Sequence, residues 1–226
     1  MIPLVFDLDG TLIDSAPDIH AGANGLLADE GHAPLTIAEA RSFIGNGAAV
    51  FVARMRAARG IADSEQPRLY AEFVRRYDGF VSLTHPYPGV VAALHCLQAR
   101  GHPLGICTNK PYRPTLAVLR HLNLEHLFAT IFGGDSLPVH KPDPAPLHAA
   151  FTALGGPGLF VGDSEVDAET AQRADLPFLL YSGGYRNAPA GSLGATAVFD
   201  DFATLPDLVK MLPQSGIHAD SSDRRR

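Results

Sequence analysis

The sequence predicts a doubly wound, Rossmann-like α/β fold, a parallel-sheet core carrying an inserted all-α helical cap. Two observations predict the core. Short, continuous apolar runs recur along the chain, as expected of strands covered on both faces, and helical patterns separate most of them, the alternation that generates a parallel sheet. A third observation predicts the cap: about 70 residues after the first strand contain no convincing strand pattern.

The first strand is read at Ile2–Phe6, where an apolar run meets two aspartates at once. Further strands are read at Pro103–Cys107, Thr130–Phe132, Leu159–Val161, Pro177–Tyr181 and Ala197–Phe199, with helices at Val90–Arg100, Pro114–Leu122, Pro146–Leu154, Asp167–Ala174 and Phe202–Leu212. Residues 1–14 and 86–214 are thus assigned to the core and 15–85 to the cap. In the cap, a helix from Asp18 to Glu30 stops at Gly31, and Thr36-Ile37-Ala38-Glu39 has capping-box spacing. Gly45-Asn46-Gly47 breaks the chain before a helix at Ala48–Arg59, and a fourth helix spans Gln66–Phe80 before the Pro-rich exit His85–Gly89. The linkers Asp14–Pro17 and Thr84–Pro88 are the expected hinges. The polar tail 215–226, ending Arg224-Arg225-Arg226, reads as a frayed, solvated end.

Composition narrows the function. The 226-residue chain carries a net charge of −6, which argues against a nucleic-acid partner, although a local cluster of donors or a metal still permits an anionic ligand. Two cysteines, Cys96 and Cys107, cannot build a disulfide framework and read as small core residues from a reducing compartment. No apolar run approaches a membrane span, and the start lacks the basic region and cleavage site of a signal peptide, so a cytoplasmic location is expected.

Four polar motifs fall behind predicted strands, where open α/β sheets place their sites. They are Asp7-Leu8-Asp9-Gly10-Thr11, Thr108-Asn109-Lys110, Lys141-Pro142-Asp143-Pro144 and Gly162-Asp163-Ser164-Glu165-Val166-Asp167. Taken singly, Thr108 and Lys141 read equally well as turn residues. The Asp-x-Asp-Gly-Thr pattern does not: at average usage it arises at about one position in 10⁵, or roughly 0.3% of chains of this length. Its company with the other three makes accident improbable.

Phe6–Ser15, Thr108-Asn109-Lys110-Pro111, His140–Pro144 and Val161–Ser164 together resemble the haloacid dehalogenase superfamily, and within it the phosphoglycolate phosphatases with a helical cap after the first motif. Ile44-Gly45-Asn46-Gly47 and Asn109-Lys110-Pro111 carry the narrower resemblance. It implies a Mg²⁺-dependent phosphomonoesterase acting on a small phosphate ester through an aspartyl-phosphate, with Asp7 as nucleophile and Asp9 as general acid and base. Chemistry agrees with these assignments. A carboxylate nucleophile splits a slow hydrolysis into two steps, and a second carboxylate two residues on can serve the leaving oxygen. Repulsion between carboxylates and phosphate calls for a cation, for which Asp7, the Asp9 carbonyl and Asp163 offer hard oxygen donors suited to Mg²⁺. Thr108 and Asn109, with the N–H groups there, would hold phosphate oxygens, and Lys141 would neutralise charge and orient Asp7. Asp167, one helical turn beyond Asp163, reads as a support for the site or as a helix-start carboxylate favoured by the dipole.

Specificity has to come from the cap. Gly45, Asn46 and Gly47 could form an anion nest. Of Arg41, Arg54, Arg56 and Arg59, Arg54 is the expected reader of a substrate carboxylate, at the position where the resembling family carries arginine. Phe73, Val74, Tyr77 and Phe80, at helical spacing, read as packing inside the cap. His121 and His126 lack zinc-helix spacing and read as surface residues. The expected substrate is 2-phosphoglycolate; a sugar phosphate, a nucleoside monophosphate or a β-phosphoglucomutase-like transfer remain alternatives, as does a non-catalytic ligand-binding protein. The oligomer is left open between monomer and homodimer.

Overall fold

The computed structural model describes residues 1–212, so the expected tail at 215–226 and the last core residues lie outside the described part. The strands are β1 (Leu4–Phe6), β2 (Ile13–Asp14), β3 (His85–Pro86), β4 (Leu104–Cys107), β5 (Thr130–Phe132), β6 (Leu159–Gly162), β7 (Phe178–Tyr181) and β8 (Ala197–Phe199). The helices are α1 (Ala16–Asp29), α2 (Ile37–Phe43), α3 (Ala48–Ala58), α4 (Gln66–Tyr77), α5 (Val90–Ala99), α6 (Tyr112–His121), α7 (Ala145–Ala153), α8 (Glu165–Ala174) and α9 (Leu205–Met211).

Six strands form one parallel sheet in the order β5-β4-β1-β6-β7-β8, with β1 pairing β4 on one side and β6 on the other. The alternation of side chains across a strand divides the core. Leu4, Phe6, Ile106 and Val161 face one layer with Val90 and Leu94 of α5, Val118 of α6 and Val209 of α9. Val5, Cys107, Phe160 and Leu180 face the other, with Leu147 and Phe151 of α7 and Ala171 of α8. Both faces of the central strands are buried, which explains their continuous apolar runs.

Helices α1–α4 hold a separate core in which Leu26, Leu27, Phe51, Met55, Leu69 and Phe73 are buried together. The Thr36–Glu39 capping box starts α2: the Thr36 hydroxyl accepts from the Glu39 N–H, and Glu39 Oε2 accepts from the Thr36 N–H at 2.7 Å. The two linkers into this unit are paired. Strands β2 and β3 form an antiparallel ribbon, Ile13 opposite Pro86 and Asp14 opposite His85. Buried Asp18 at the start of α1 fastens the second linker, accepting from the Leu83 N–H at 2.9 Å and the Thr84 hydroxyl at 2.5 Å.

Candidate active site

The chain leaves the sheet at Asp7, whose N–H still donates to the Val161 carbonyl at 2.8 Å. It then folds back, with the N–H groups of Thr11, Leu12 and Ile13 converging on the Leu8 carbonyl. Gly10 makes this possible at φ 88°, a left-handed conformation natural to glycine. The turn leaves Asp7 and Asp9 both buried at the carboxyl edge of the sheet.

Neighbouring strands deliver the partners. Thr108 follows β4, is buried, and accepts the Lys110 N–H on its hydroxyl. Asp163 follows β6; its Oδ1 accepts from the Thr11 hydroxyl at 2.7 Å and its Oδ2 from the Tyr185 N–H at 2.7 Å. Lys141 differs from the expectation of a strand-end residue. Strand β5 stops at Phe132, and Lys141 arrives at the end of the following loop. Its Nζ sits 2.9 Å from Asp7 Oδ1 and 2.6 Å from Asp167 Oδ1. The second Asp167 oxygen accepts from the Ser164 hydroxyl at 2.7 Å and from the N–H groups of Asp163 and Ser164, capping α8. Each of its oxygens therefore serves one of the two readings made from sequence, one holding Lys141 and one capping the helix.

Charge is crowded here. Asp7, Asp163 and Asp167 each place a carboxylate oxygen within 4.8 Å of the others, against one ammonium group, Lys141. Burial pushes the Asp7 carboxyl up to about 6, partly opposed by Lys141 and reinforced by Asp167. Burial, then Asp167 and Asp7, push Asp163 well above the ordinary carboxylate range. Asp7 Oδ1 is buried without a hydrogen bond, since Lys141 stands at ion-pair distance but not in hydrogen-bonding geometry. An orphaned, buried carboxylate oxygen among hard oxygen donors fits a small divalent cation. Asp7, Asp163 and Asp167 could each offer such an ion an oxygen, Asp167 being the one held closest to Lys141, at 2.6 Å.

A pocket opens over Asp7 and Asp9, lined by Thr108, Asn109 and Lys110 from the core and by Gly45, Gly47, Phe51, Phe73 and Tyr77 from the cap. Asn109 Nδ2 donates to the Gly45 carbonyl at 3.1 Å and the Lys141 carbonyl at 2.9 Å, so it ties the cap loop to the Lys141 loop. Asn46 and Arg54 lie elsewhere, in a second cleft beside Ser164, Glu165 and Asn187. Arg54 does not reach the Asp7 pocket: its Nη1 donates to the carbonyls of Ser42 and Phe43 at the end of α2, where helical carbonyls lack partners. The other cap arginines are also engaged. Arg41 pairs with Asp14, Arg56 donates to the Ile61 carbonyl and Arg59 pairs with Glu39.

Two residues without a role in the sequence reading enter instead. Lys110 Nζ lies 3.3 and 3.4 Å from the Asp9 oxygens and 3.1 Å from the Tyr77 hydroxyl. Lys110 is buried; burial opposes its charge, but Asp9 and Tyr77 hold it up at about 12. Lys110 stood within the Thr108-Asn109-Lys110 motif, so its position was available. Tyr77 does pack in the cap, as its spacing suggested, while its hydroxyl reaches out of that core to Lys110.

A family model described as haloacid dehalogenase-like hydrolase matches residues 4–175. A phosphoglycolate phosphatase of Cereibacter sphaeroides is 49% identical over 213 residues, covering 92% of this chain and 98% of that one. One of Rhodospirillum rubrum is 43% identical over 225 residues, covering 94% and 92%. Among solved structures, a protein of Haemophilus somnus described as a "predicted phosphoglycolate phosphatase" superposes with a TM-score of 0.85 at 32% identity, covering 92% of this chain and 97% of that one.

Proposed function

The chain belongs to the haloacid dehalogenase-like hydrolases and is a phosphoric monoester hydrolase, and from that premise we propose that it hydrolyses 2-phosphoglycolate to glycolate and phosphate with Mg²⁺ as cofactor. The observation that carries the chemistry is Asp7, buried beside Lys141 with one carboxylate oxygen free of hydrogen bonds, and Asp9 two residues on facing the same pocket. The relatives' names support the choice of substrate.

In this reading Asp7 attacks phosphorus, the bond from phosphorus to the glycolate oxygen breaks, and Asp9 gives that oxygen its proton. The product is an aspartyl-phosphate on Asp7. Asp9, now a carboxylate, takes a proton from water as the water oxygen attacks phosphorus, and the bond to Asp7 breaks to release phosphate. Thr108 and the N–H groups after it hold non-bridging oxygens, and Lys141 keeps Asp7 aimed while offsetting charge that builds on the phosphoryl group. Asp7, Asp163 and the Asp9 carbonyl would hold the metal. Bound there, Mg²⁺ supplies the positive charge that lets an anionic carboxylate approach an anionic phosphoryl group. A cytoplasmic location belongs to the same reading, supported by two free cysteines and by the lack, among the described residues, of a helix long and apolar enough to cross a membrane.

The test is phosphate release from a panel of small phosphomonoesters, with Mg²⁺ and with EDTA, for wild type and Asp7→Asn. Metal-dependent turnover, lost in the variant and highest in kcat/KM for 2-phosphoglycolate, is expected. Higher kcat/KM for a sugar phosphate or a nucleotide would reject the substrate.

A further inference from the structure

We propose that Lys110 and Tyr77 form the subsite that reads the carboxylate of the leaving group, which rests on the phosphorylated hydroxy acid put forward above as substrate. Among the described residues lining the Asp7 pocket, Lys110 is the one cation, and Tyr77 is the one cap side chain with a polar end. They meet at 3.1 Å, with the ammonium also 4.3 Å from the centre of the phenol ring.

Position follows from the reaction. Asp9 has to reach the departing oxygen, and in 2-phosphoglycolate the carboxylate carbon is two bonds beyond that oxygen. Lys110 is the cation standing beside Asp9. Its hold on Asp9 is loose, since 3.3 Å is well beyond the roughly 2.8 Å of a tight ammonium–carboxylate bond. Lysine offers three N–H donors, and Asp9 and Tyr77 account for two. Lys141 cannot take this part, being held between Asp7 and Asp167 on the phosphoryl side. Arg54 is not placed for it either, lining the second cleft with Nη1 on the end of α2.

The surroundings sharpen the preference. Phe51 and Phe73 wall the pocket on the cap side and offer no donor. A buried ammonium group among such walls interacts strongly with an added carboxylate, and a neutral leaving group gives it nothing in exchange. Tyr77 comes from α4, so the subsite is complete only with the cap seated on the core. Discrimination by a buried polar group left without its partner is the stronger form of substrate selection.

The experiment compares 2-phosphoglycolate with 2-hydroxyethyl phosphate, in which CH₂OH replaces the carboxylate. Lys110→Met should lower the ratio of kcat/KM for the two esters by about 30-fold, the scale of one charged hydrogen bond. Tyr77→Phe should lower it several-fold, and serves alone if Lys110→Met does not fold. In the Asp7→Asn background, calorimetry should show Lys110→Met weakening 2-phosphoglycolate more than inorganic phosphate, a readout free of Asp9 proton transfer. Equal losses on both esters, or equal weakening of both ligands, would overturn the subsite while leaving the substrate assignment intact. A wild-type enzyme with no preference for the carboxylate ester would remove both.

Discussion

The Tyr185 hydroxyl donates to Asp14 Oδ1 across 2.6 Å, joining the loop beyond β7 to the first linker of the cap. The same hydroxyl accepts from the Ala16 N–H at 3.0 Å, and the Tyr185 N–H donates to Asp163. One residue thus spans from the β2/β3 ribbon to the Asp163 carboxylate. Tyr185→Phe removes the hydroxyl bonds and keeps the backbone one. We expect about 1–2 kcal/mol less stability by urea denaturation, the scale of such bonds. KM for the substrate should rise several-fold while the Mg²⁺ concentration for half-maximal activity holds. A shift confined to the Mg²⁺ dependence would contradict a role in holding the first linker of the cap.

The backbone around Asp163 has no room for side chains. A Cβ on Gly10 would stand 2.5 Å from Asp163 Oδ2 and 2.8 Å from the Tyr185 ring, at a φ that already strains any other residue. A Cβ on Gly184 would collide with the same carboxylate. Gly10→Ala should therefore cost more than 100-fold in kcat, since a displacement near 1 Å is that expensive, and about 1–3 kcal/mol in stability from overpacking. Steady-state kinetics beside thermal unfolding separates the two. Wild-type kcat in Gly10→Ala would show that Asp163 tolerates displacement.

Asp167 holds Lys141 with one oxygen and caps α8 with the other, so two substitutions should separate these tasks. Asp167→Asn keeps an acceptor for the cap but removes the charge 2.6 Å from Lys141. A loss of about 10- to 100-fold in kcat is expected, the usual range for a residue that orients a site. Asp167→Ala also loses the cap and should unfold about 1 kcal/mol more readily than Asp167→Asn. Equal stability of the two variants would show that the cap contributes nothing.

The sheet was legible because its central strands are buried on both faces and read as continuous apolar runs; Leu4-Val5-Phe6 is fully buried. The site was legible where each residue directly follows a strand, as with Asp7, Thr108 and Asp163. The two-residue strands β2 and β3 carry no periodicity, so the ribbon that pairs the two linkers was not. Lys110, Tyr77 and Tyr185 are placed by contacts between residues distant in the chain, and no local pattern marks a buried ammonium that pairs with Asp9. Arg54 misled for a related reason. An arginine beside a glycine loop looks aimed at the Asp7 pocket until its Nη1 is seen on the end of α2 and the side chain in the second cleft.

The Asp7 carboxyl gives the metal-free protein a pH dependence of definite sign. Its value rises from an ordinary 3.8 to about 6 on folding, chiefly through burial. Ionisation therefore opposes folding. The contribution favouring the fold is complete below about pH 4 and fades as pH rises through 6. A shift of this size corresponds to about 2–3 kcal/mol. Asp7→Asn has no carboxyl to ionise, so in EDTA its advantage over wild type should be near zero at pH 4 and grow to about 2–3 kcal/mol at pH 7. Urea unfolding of both proteins across that range measures it. Added Mg²⁺ should raise the wild-type midpoint more than that of the variant, because the cation relieves the same crowding. A pH-independent difference between the two proteins would show that Asp7 is not held in the charge cluster described.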